Sequence, residues 1–336
     1  RLLGSFSRKH SEIPTRVFGR THTSAQANRK ETQTRQIDNY FVKSFWQINP
    51  NWDTDISFTH APEEHHMFGP NALNSEYTTI NGGDAVNWRL RWEAPWAKVE
   101  QRISWNKMTN RRESEEDFMA IWYSSDEKDW STSVFATEGG FGAVQRTQDT
   151  LAYQLQADWN SFSTGTLVHS WQTGVEITRQ KSQYDQLKTF NSYQFAGTNQ
   201  SCNGAQWCSD SPITIGKNTF NGQFANRLAQ TDKGSIGFTN NELALYVQNE
   251  MRYQRLMVRP GLRLDRNSFM QKTTLAPRLA VELDVFGDQK TRLMAGWNLY
   301  YGRNLAAYKL NADIASMTVN YTRKDPNSPW GESKRN

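Results

Sequence analysis

The chain has 336 residues, of which only 36% are hydrophobic, and its mean hydropathy is −0.80. No stretch approaches the roughly 20 consecutive apolar residues that a membrane-spanning helix needs, which excludes a helical membrane protein. A membrane β-barrel is not excluded, because its strands are apolar only at alternate residues. The 12% of aromatic residues, with 13 Trp, argues against a disordered chain.

A period of two residues dominates the chain and predicts β-strands. Between Val86 and Trp92 the even positions are Val, Trp, Leu and Trp, whereas the odd positions are Asn, Arg and Arg. Successive side chains of a strand point to opposite faces, so this strand has one apolar face and one polar face. The same alternation predicts strands in 38–48, 54–61, 84–93, 98–105, 151–159, 167–178, 243–252, 258–265, 278–284 and 293–301, and possible further strands in 2–11 and 316–323.

The connections between these strands alternate in length. The sequence predicts short turns at 49–53, 94–97, 160–165, 253–255 and 286–290, and long loops at 62–83, 109–145, 179–241 and 266–274. Antiparallel strands with short turns at one end and long loops at the other are typical of an outer-membrane barrel. In a soluble β-sandwich, nothing requires the loops at one end of the strands to be systematically longer than those at the other end. We therefore predict an all-β, transmembrane antiparallel barrel whose long loops are extracellular and whose short turns face the periplasm.

Aromatic residues concentrate beside the predicted short turns. They are Trp46, Trp52, Trp92, Trp96, Trp159 and Tyr253. Amphipathic rings collect at the headgroup level of a membrane, so this cluster indicates a periplasmic girdle. The alternative is that these rings fill a soluble core, which gives no reason for their collection at one end.

The polar faces carry many charges, among them Arg89, Arg91, Glu250 and Arg252. Burying them without water or partners would cost several kcal/mol each. Ten or more strands leave a lumen inside a barrel, so we expect that lumen to hold water or a polar plug. The net charge is only +5, with 39 Lys and Arg scattered among 34 Asp and Glu, so nucleic acid is not expected as a partner.

Two hairpin-forming regions resemble a known family. They are Glu242–Arg252 with Leu256–Asp265, and Leu275–Asp288 with Leu293–Arg303. Both resemble hairpins of TonB-dependent outer-membrane receptors. The resemblance implies a 22-stranded barrel in the lipid of the outer membrane of a Gram-negative bacterium. It also implies an N-terminal plug that contacts a TonB-type energy-coupling protein.

The chain departs from the family pattern at both ends. No plug or coupling box precedes Arg1, and the segment 330–336 lacks a terminal aromatic strand. We therefore interpret 1–336 as a partial barrel, about 10–12 strands from the middle of a larger receptor. Four charged residues of adjacent strands are the expected docking sites for the plug, whose opposite charges or backbone groups would pair with them: Arg259, Arg263, Arg278 and Glu282.

The run Glu63–Glu64–His65–His66 is a candidate ligand-binding site. Imidazole and carboxylate groups suit iron, haem or zinc, but the spacing is not that of a helical zinc motif. A solvated polar loop is the alternative that we favour. No resident metal or cofactor is therefore expected, and His65 and His66 remain candidate ligand contacts.

Cys202 and Cys208 are the only cysteines. With no His nearby they make a poor metal site and a plausible disulfide, which favours an oxidising compartment. The disulfide would either hold a loop tip that presents Trp207 to a ligand or simply protect a long loop. Asn298 and Tyr300 point inward at the upper end of their strand and are further candidate contacts for a ligand, with packing against a plug as the alternative.

The sequence contains no nucleophile elbow, phosphate loop or dinucleotide fingerprint, so an enzyme is not expected. The favoured function is active uptake of a scarce small molecule, such as a ferric siderophore or haem, energised from the inner membrane. Two alternatives remain: a passive porin-type channel, and a surface receptor whose loops bind a protein or lipoprotein partner.

Overall fold

The computed structural model describes residues 1–17, 30–131, 133–301 and 306–333. Arg303 of the family motif and residues 334–336 lie outside this part of the chain. The strands and the helix α1 are β1 (Leu2–Arg16), β2 (Lys30–Asn49), β3 (Trp52–Met67), β4 (Ala72–Leu73), β5 (Tyr77–Glu93), β6 (Ala97–Ser114), β7 (Phe118–Tyr123), β8 (Phe135–Gly139), β9 (Val144–Trp159), β10 (Phe162–Thr164), β11 (Leu167–Gln186), β12 (Phe190–Thr198), β13 (Cys208–Ser209), β14 (Ile213–Ile215), β15 (Asn218–Phe220), β16 (Gly222–Thr231), β17 (Gly234–Tyr253), β18 (Leu256–Asn267), β19 (Lys272–Asp284), β20 (Arg292–Asn298), α1 (Ala306–Ser316), β21 (Thr318–Thr322) and β22 (Gly331–Glu332).

The long strands form one 12-stranded antiparallel sheet, which we call the wall. Its order is β1-β2-β3-β5-β6-β9-β11-β17-β18-β19-β20, and β10 pairs with β11. The ten strands predicted from the alternation all lie in the wall, and the possible strand at 2–11 is β1. The predicted fold class and strand pattern are therefore confirmed.

The register of the wall separates two faces. Asp53 pairs with Arg91 and Asp55 pairs with Arg89 across β3 and β5, and these four side chains share the inner face. The neighbouring positions carry the apolar residues of the outer face, and most strands of the wall repeat this division, although β2 places Phe41 and Phe45 on the inner face. The polar side of the alternation thus becomes a largely polar inner surface.

Aromatic rings of the outer face lie in a row beside the short turns. Trp52 stacks on Trp92 with ring centroids 5.1 Å apart, and Trp92 meets Trp96 edge-on at 5.7 Å. Trp96 lies 5.1 Å from Trp159. These contacts form the girdle that the sequence predicts at this end of the strands.

Several predicted loops are shorter than expected, because strand pairing continues beyond the apolar residues. The observed connections are 68–76 within the predicted loop 62–83, 115–143 within 109–145, and 187–233 within 179–241. The prediction of a long loop at 266–274 is wrong. Only residues 268–271 connect β18 to β19, and the Asn267 side chain accepts hydrogen bonds from the backbone N–H groups of Phe269 and Met270.

The long connections fold together into a second, 8-stranded sheet, which we call the loop sheet. Its order is β22-β21-β16-β12-β7-β8-β4, with β13 beside β16. The pairs β12–β7 and β4–β8 are parallel. The possible strand predicted at 316–323 is β21, so it belongs to the loop sheet and not to the wall.

The loop sheet contains a hydrophobic core of its own. The ring centroids of Trp122 and Phe195 are 3.7 Å apart, and Leu228 packs in the same cluster. Gln223 is fully buried and its amide pairs with the backbone of Tyr123, donating to the carbonyl and accepting from the N–H at 2.8 Å each. Buried amides need such partners, so this pair links β16 to β7, two strands that β12 separates in the sheet order.

Within the described ranges, α1 is the single helix, and no helix is long and apolar enough to cross a membrane.

Candidate functional site

The inner face of the wall neutralises its own charges. Asp55 is only 6% exposed and contacts both Arg89 and Lys43, and Arg91 contacts Asp53 at 2.8 Å. Each pair joins neighbouring strands whose register brings opposite charges together. The wall therefore presents a polar surface with little unmatched charge in this region.

A second group of pairs lies on β11, β17 and β18. Glu250 contacts Arg259 of the neighbouring strand, and Arg252 donates to the same carboxylate at 2.6 Å. Arg263 donates to Glu176 at 2.6 Å and to Asp265 at 3.0 Å. These cations are held by carboxylates of the wall itself.

The wall also holds Glu282, which contacts Arg292 at 3.1 Å. The sequence analysis assigned the opposite charges for Arg259, Arg263 and Glu282 to a plug, and that part of the expectation is wrong because other strands of the wall supply them. Whether these side chains also face a plug stays a prediction.

Arg278 differs from the other cations of the inner face. Its Nε atom is buried and has no hydrogen-bond partner among the described residues, and its guanidinium lies 5.4 Å from the centre of the Tyr300 ring. Asn298 is opposite Arg278 in the β19–β20 register. The structure thus brings the predicted residues Arg278, Asn298 and Tyr300 together.

A cavity of about 180 Å³ lies at the upper end of β18 and β19, towards the long connections. Its lining combines the cations Arg263, Arg278 and Lys272 and the rings of Tyr300 and Tyr301 with two acidic residues, Glu242 and Asp265. Cations over aromatic rings and unpaired guanidinium hydrogens suit an anionic or carbonyl-rich ligand. This cavity is the candidate binding site of the wall.

His65 and His66 do not form one site. They are consecutive residues of β3, so their side chains point to opposite faces. His65 contacts Glu63, which also binds Arg35 at 2.6 Å, whereas His66 contacts the Thr78 hydroxyl at 2.7 Å. The described part of the chain contains no group of three or more potential metal ligands.

The predicted disulfide between Cys202 and Cys208 is present, with an S–S distance of 2.00 Å. The ring of Trp207 does not stand free at a loop tip. It stacks on Tyr193 at 4.3 Å and meets Phe118 at 4.9 Å, inside the loop sheet. Burial raises the pKa of the Tyr193 hydroxyl above its ordinary value.

Arg323 is a central residue of the loop sheet that the sequence analysis did not identify. It donates to the carbonyls of Ala225 at 2.6 Å, Gln206 at 3.1 Å and Trp207 at 3.3 Å. It therefore ties β16 to the disulfide ring. A single arginine after a short strand gives no sequence signal for this role, because its partners lie about 100 residues away along the chain and are backbone atoms.

Comparison with known proteins shows what this fold resembles. No protein-family model matches the chain. The uncharacterized protein YddB of Escherichia coli K12 is 21% identical over 305 residues, which are 90% of this chain and 35% of that protein. The crystal structure of the outer membrane transporter YddB from Escherichia coli has a TM-score of 0.73 at 18% identity, covering 94% of this chain and 38% of that one. A mutant of the ferric enterobactin receptor PfeA from Pseudomonas aeruginosa has a TM-score of 0.52 at 15% identity, with 90% and 38% covered.

These similarities confirm the predicted resemblance to TonB-dependent outer-membrane receptors and the fold of a membrane β-barrel. They also confirm the predicted location in the outer membrane of a Gram-negative bacterium. The chain spans 35% to 38% of the length of these relatives.

Proposed function

We propose that the chain is part of the barrel of a receptor that takes up a scarce small molecule across the outer membrane. A ferric siderophore or haem is the proposed cargo, and the inner membrane supplies the energy through a TonB-type coupling protein. The observation that supports this most strongly is the inner face of the wall, which is mostly polar and whose carboxylates pair with cations of the same face. Such a surface can line a wet lumen or contact a polar plug without leaving charges unmatched.

The proposed ligand contacts lie at the upper end of this inner face. Arg278 offers a guanidinium whose Nε lacks a partner among the described residues, and Tyr300 is 70% exposed beside it. Iron chelates and haem carry carboxylate or other oxygen groups that accept hydrogen bonds from guanidinium. We assign Arg278, Asn298 and Tyr300 to the ligand, with His65 as a weaker candidate on the same inner face. His66 and Trp207 are weaker candidates for contact with the ligand, because the His66 side chain points to the outer face and the Trp207 ring packs inside the loop sheet.

The loop sheet favours a second candidate function. Because it has its own core and a disulfide, it presents a preformed surface, and rigid surfaces bind protein partners at a lower entropic cost than mobile loops. A surface lipoprotein or another protein is the partner class in this alternative. Binding of a protein to the isolated receptor, abolished by substitutions in the loop sheet but not at Arg278, would favour it.

Uptake and conductance by the full-length protein test the leading proposal. A plugged receptor should show negligible steady conductance in planar bilayers, and its uptake should stop when the proton gradient is collapsed. Arg278→Gln with Tyr300→Ala should weaken ligand binding, whereas Asn87→Gln, an exposed inner-face control far along the wall, should not. Steady conductance with uptake that is insensitive to the proton gradient would favour the passive porin instead.

The orientation of the wall has its own test. Single cysteines at Lys217, in the turn of the separate two-stranded β14–β15 hairpin, and at Asp288, in a short turn, can be labelled on intact cells with an impermeant reagent. We expect labelling at position 217 and none at 288. The opposite pattern would place the long connections in the periplasm and contradict the proposed orientation.

A further inference from the structure

Three Asn-Gly pairs occur in the chain, and the structure holds them in three different environments. They are Asn81–Gly82, Asn203–Gly204 and Asn221–Gly222. In such a pair the backbone nitrogen of the glycine can attack the side-chain amide of the asparagine, because glycine has no side chain that hinders the approach. The attack requires rotation of the peptide group between the two residues. The surroundings of that peptide group therefore decide which of the three pairs can react.

The first pair is fixed inside the wall. Asn81 and Gly82 lie in β5, which pairs with β3 on one side and with β6 on the other. The Asn81 side-chain oxygen also accepts a hydrogen bond from the Asn110 amide. A Cβ atom placed on Gly82 would lie 2.1 Å from the carbonyl oxygen of Ala61, so the backbone has no free space here. Rotation of this peptide group would disrupt the pairing of β5.

The pair at the start of β16 is held as well. Gly222 is buried, and a Cβ atom placed on it would lie 2.3 Å from the carbonyl oxygen of Ser209. The backbone N–H of Asn221 donates to the side-chain oxygen of Asn199 at 3.1 Å. Tight contact on one side and a hydrogen bond on the other oppose rotation of the peptide group between these two residues.

The remaining pair lies in an exposed turn within the disulfide ring 202–208. φ is +46° at Asn203 and +78° at Gly204, and the backbone N–H of Ala205 donates to the Cys202 carbonyl at 2.8 Å. Positive φ at both central residues defines a type I′ turn, which Asn-Gly favours. A Cβ atom placed on Gly204 would meet nothing within 4 Å. Within the described ranges, the Asn203 side chain makes no hydrogen bond.

Rotation of the peptide group between Asn203 and Gly204 by half a turn converts this turn into type II′. Only ψ of Asn203 and φ of Gly204 change, and both turn types keep the hydrogen bond that closes the turn. Glycine adopts the resulting negative φ as readily as the positive one. ψ of Asn203 becomes about −120°, at which the Gly204 nitrogen is eclipsed with the Cβ atom of Asn203. The turn therefore reaches the geometry for ring closure without unfolding.

We propose that Asn203 is a site of spontaneous deamidation, with water as the co-reactant. The Gly204 nitrogen gives its proton to a base of the solvent and attacks Cγ of Asn203. A C–N bond forms, the side-chain nitrogen leaves as ammonia, and a five-membered cyclic imide results. Water then adds to one of the two imide carbonyls and opens the ring to an aspartyl or an isoaspartyl product. No oxidant or reductant is needed.

The product changes the charge and the shape of the disulfide ring. Asp210 accepts a hydrogen bond from the backbone N–H of Cys202 at 2.9 Å, so the new carboxylate adds like charge near an existing one. The isoaspartyl form also lengthens the backbone of the ring by one carbon. This extension precedes the carbonyls of Gln206 and Trp207, to which Arg323 donates at 3.1 Å and 3.3 Å. Older copies of the protein therefore present an altered surface at the loop sheet.

Ageing of the folded, full-length protein tests this inference. The purified protein stands in detergent at neutral and at mildly alkaline pH, and peptide mass spectrometry follows the acidic form at each Asn-Gly pair. We expect conversion at Asn203 to be on the order of tenfold faster than at Asn81 or Asn221, and faster still in alkali. In protein unfolded by urea the three pairs should convert at similar rates. Equal rates in the folded protein, or a slower rate at Asn203, would overturn the proposal.

The identity of the product tests the ring closure. Labelling by an isoaspartyl methyltransferase should detect the isoaspartyl form at position 203. A product that is aspartyl only would show direct hydrolysis of the amide by water and would overturn the cyclic imide. These measurements involve neither the cargo, nor energy coupling, nor the orientation of the barrel. Their outcome is therefore independent of the proposed function.

Gly204→Ala gives a second test, because the added methyl group hinders the attacking nitrogen. Conversion at Asn203 should slow on the order of tenfold. The matched control is Gly216→Ala in the β14–β15 turn, where φ is +65° and an added Cβ also meets nothing within 4 Å. It should leave the rate at Asn203 unchanged. Limited proteolysis checks that the loop sheet of each variant is folded, and the comparison of the three pairs in the wild type decides the proposal without any variant.

Discussion

Arg263 on β18 reaches over Ala244 of β17 to donate to Glu176 on β11, at 2.6 Å. Ala244 is opposite Glu176 in the register and is only 4% exposed, so the long side chains lie flat over its methyl group. Tyr246 of β17 forms a similar bridge over a small residue, two residues further along the strand. It crosses Gly174 and donates from its hydroxyl to Gln156 on β9 at 3.2 Å. Small residues of the wall thus let long ones connect strands that are not neighbours.

The pair of Arg263 and Glu176 should contribute to the stability of the barrel. The Arg263 side chain is 12% exposed, so Glu176→Gln should cost about 1–3 kcal/mol in the free energy of unfolding, since a largely buried cation loses one of its two carboxylates. Urea unfolding of the refolded barrel measures this loss. A double-mutant cycle with Arg263→Met should give a coupling free energy clearly above zero. Additive effects would mean that the two side chains do not interact.

Gly174→Ala should destabilise the wall, because an added Cβ would lie 2.3 Å from Cζ of the Tyr246 ring. We expect a loss of about 1–3 kcal/mol by overpacking, and Tyr246→Ala in the same chain should remove most of it. Gly261→Ala is the matched control, because its new Cβ would meet Gln248 at an ordinary 3.5 Å. Equal losses at the two glycines would contradict the role of the ring.

Leu90→Arg tests the assignment of the outer face. Leu90 lies in the apolar face of β5, and an arginine near the bilayer midplane costs about 2–4 kcal/mol. Asn87→Arg, on the exposed inner face of the same strand, should cost much less. Folding into lipid vesicles measures both. Arg89→Ala, which the alternation alone predicts to be harmless, should instead show a loss, because Asp55 then retains only Lys43.

The loop sheet should lose stability in alkali because of Tyr193. Burial raises the pKa of this hydroxyl above its ordinary value of about 10, so the unfolded chain releases the proton at a lower pH than the folded one. The contribution of Tyr193 to the free energy of unfolding is therefore constant below about pH 10, and it falls as the pH rises above that value. Limited proteolysis of the loop sheet at pH 8 and about pH 11 measures the fall. Tyr193→Phe should reduce it; an unchanged fall would assign it to another group.

Removal of the disulfide by Cys202→Ser/Cys208→Ser should weaken the loop sheet and spare the wall. A ring of this size contributes roughly 2 kcal/mol through chain entropy. Proteases should then cut within 187–233 sooner, while the heat-modifiable mobility of the barrel stays the same. A loss of barrel folding in this variant would mean that the loop sheet and the wall fold as one cooperative unit.

The wall was predictable because its signal is local. Alternation from Val86 to Trp92 identifies a strand and its two faces without reference to the rest of the chain. The ion pair of Arg263 with Glu176 was not predictable, since it depends on the register of three strands. The outer ends of the strands were missed because pairing continues where the outward side chains become polar.

The loop sheet was missed for a different reason. Its strands are short, and its core collects Trp122, Phe195 and Leu228 from distant segments, so no single segment shows a pattern. The contacts of Trp207 and Arg323 belong to this non-local core. Disulfide pairing was predictable from the cysteine count alone, but its environment was not.

The length of the strands beyond the last apolar residues of their outer face separates two parts of the molecule. β11 continues from Ile177 to Gln186, which is roughly 30 Å of extended backbone before the loop sheet begins. A change of a few ångströms in the hydrophobic thickness of the membrane, with temperature or lipid composition, therefore shifts the lipid boundary along the wall without reaching the loop sheet. When the bilayer thickness changes, only the part of the strands near Arg179 enters or leaves the lipid. The surface formed by the long connections therefore keeps its shape in membranes of different thickness.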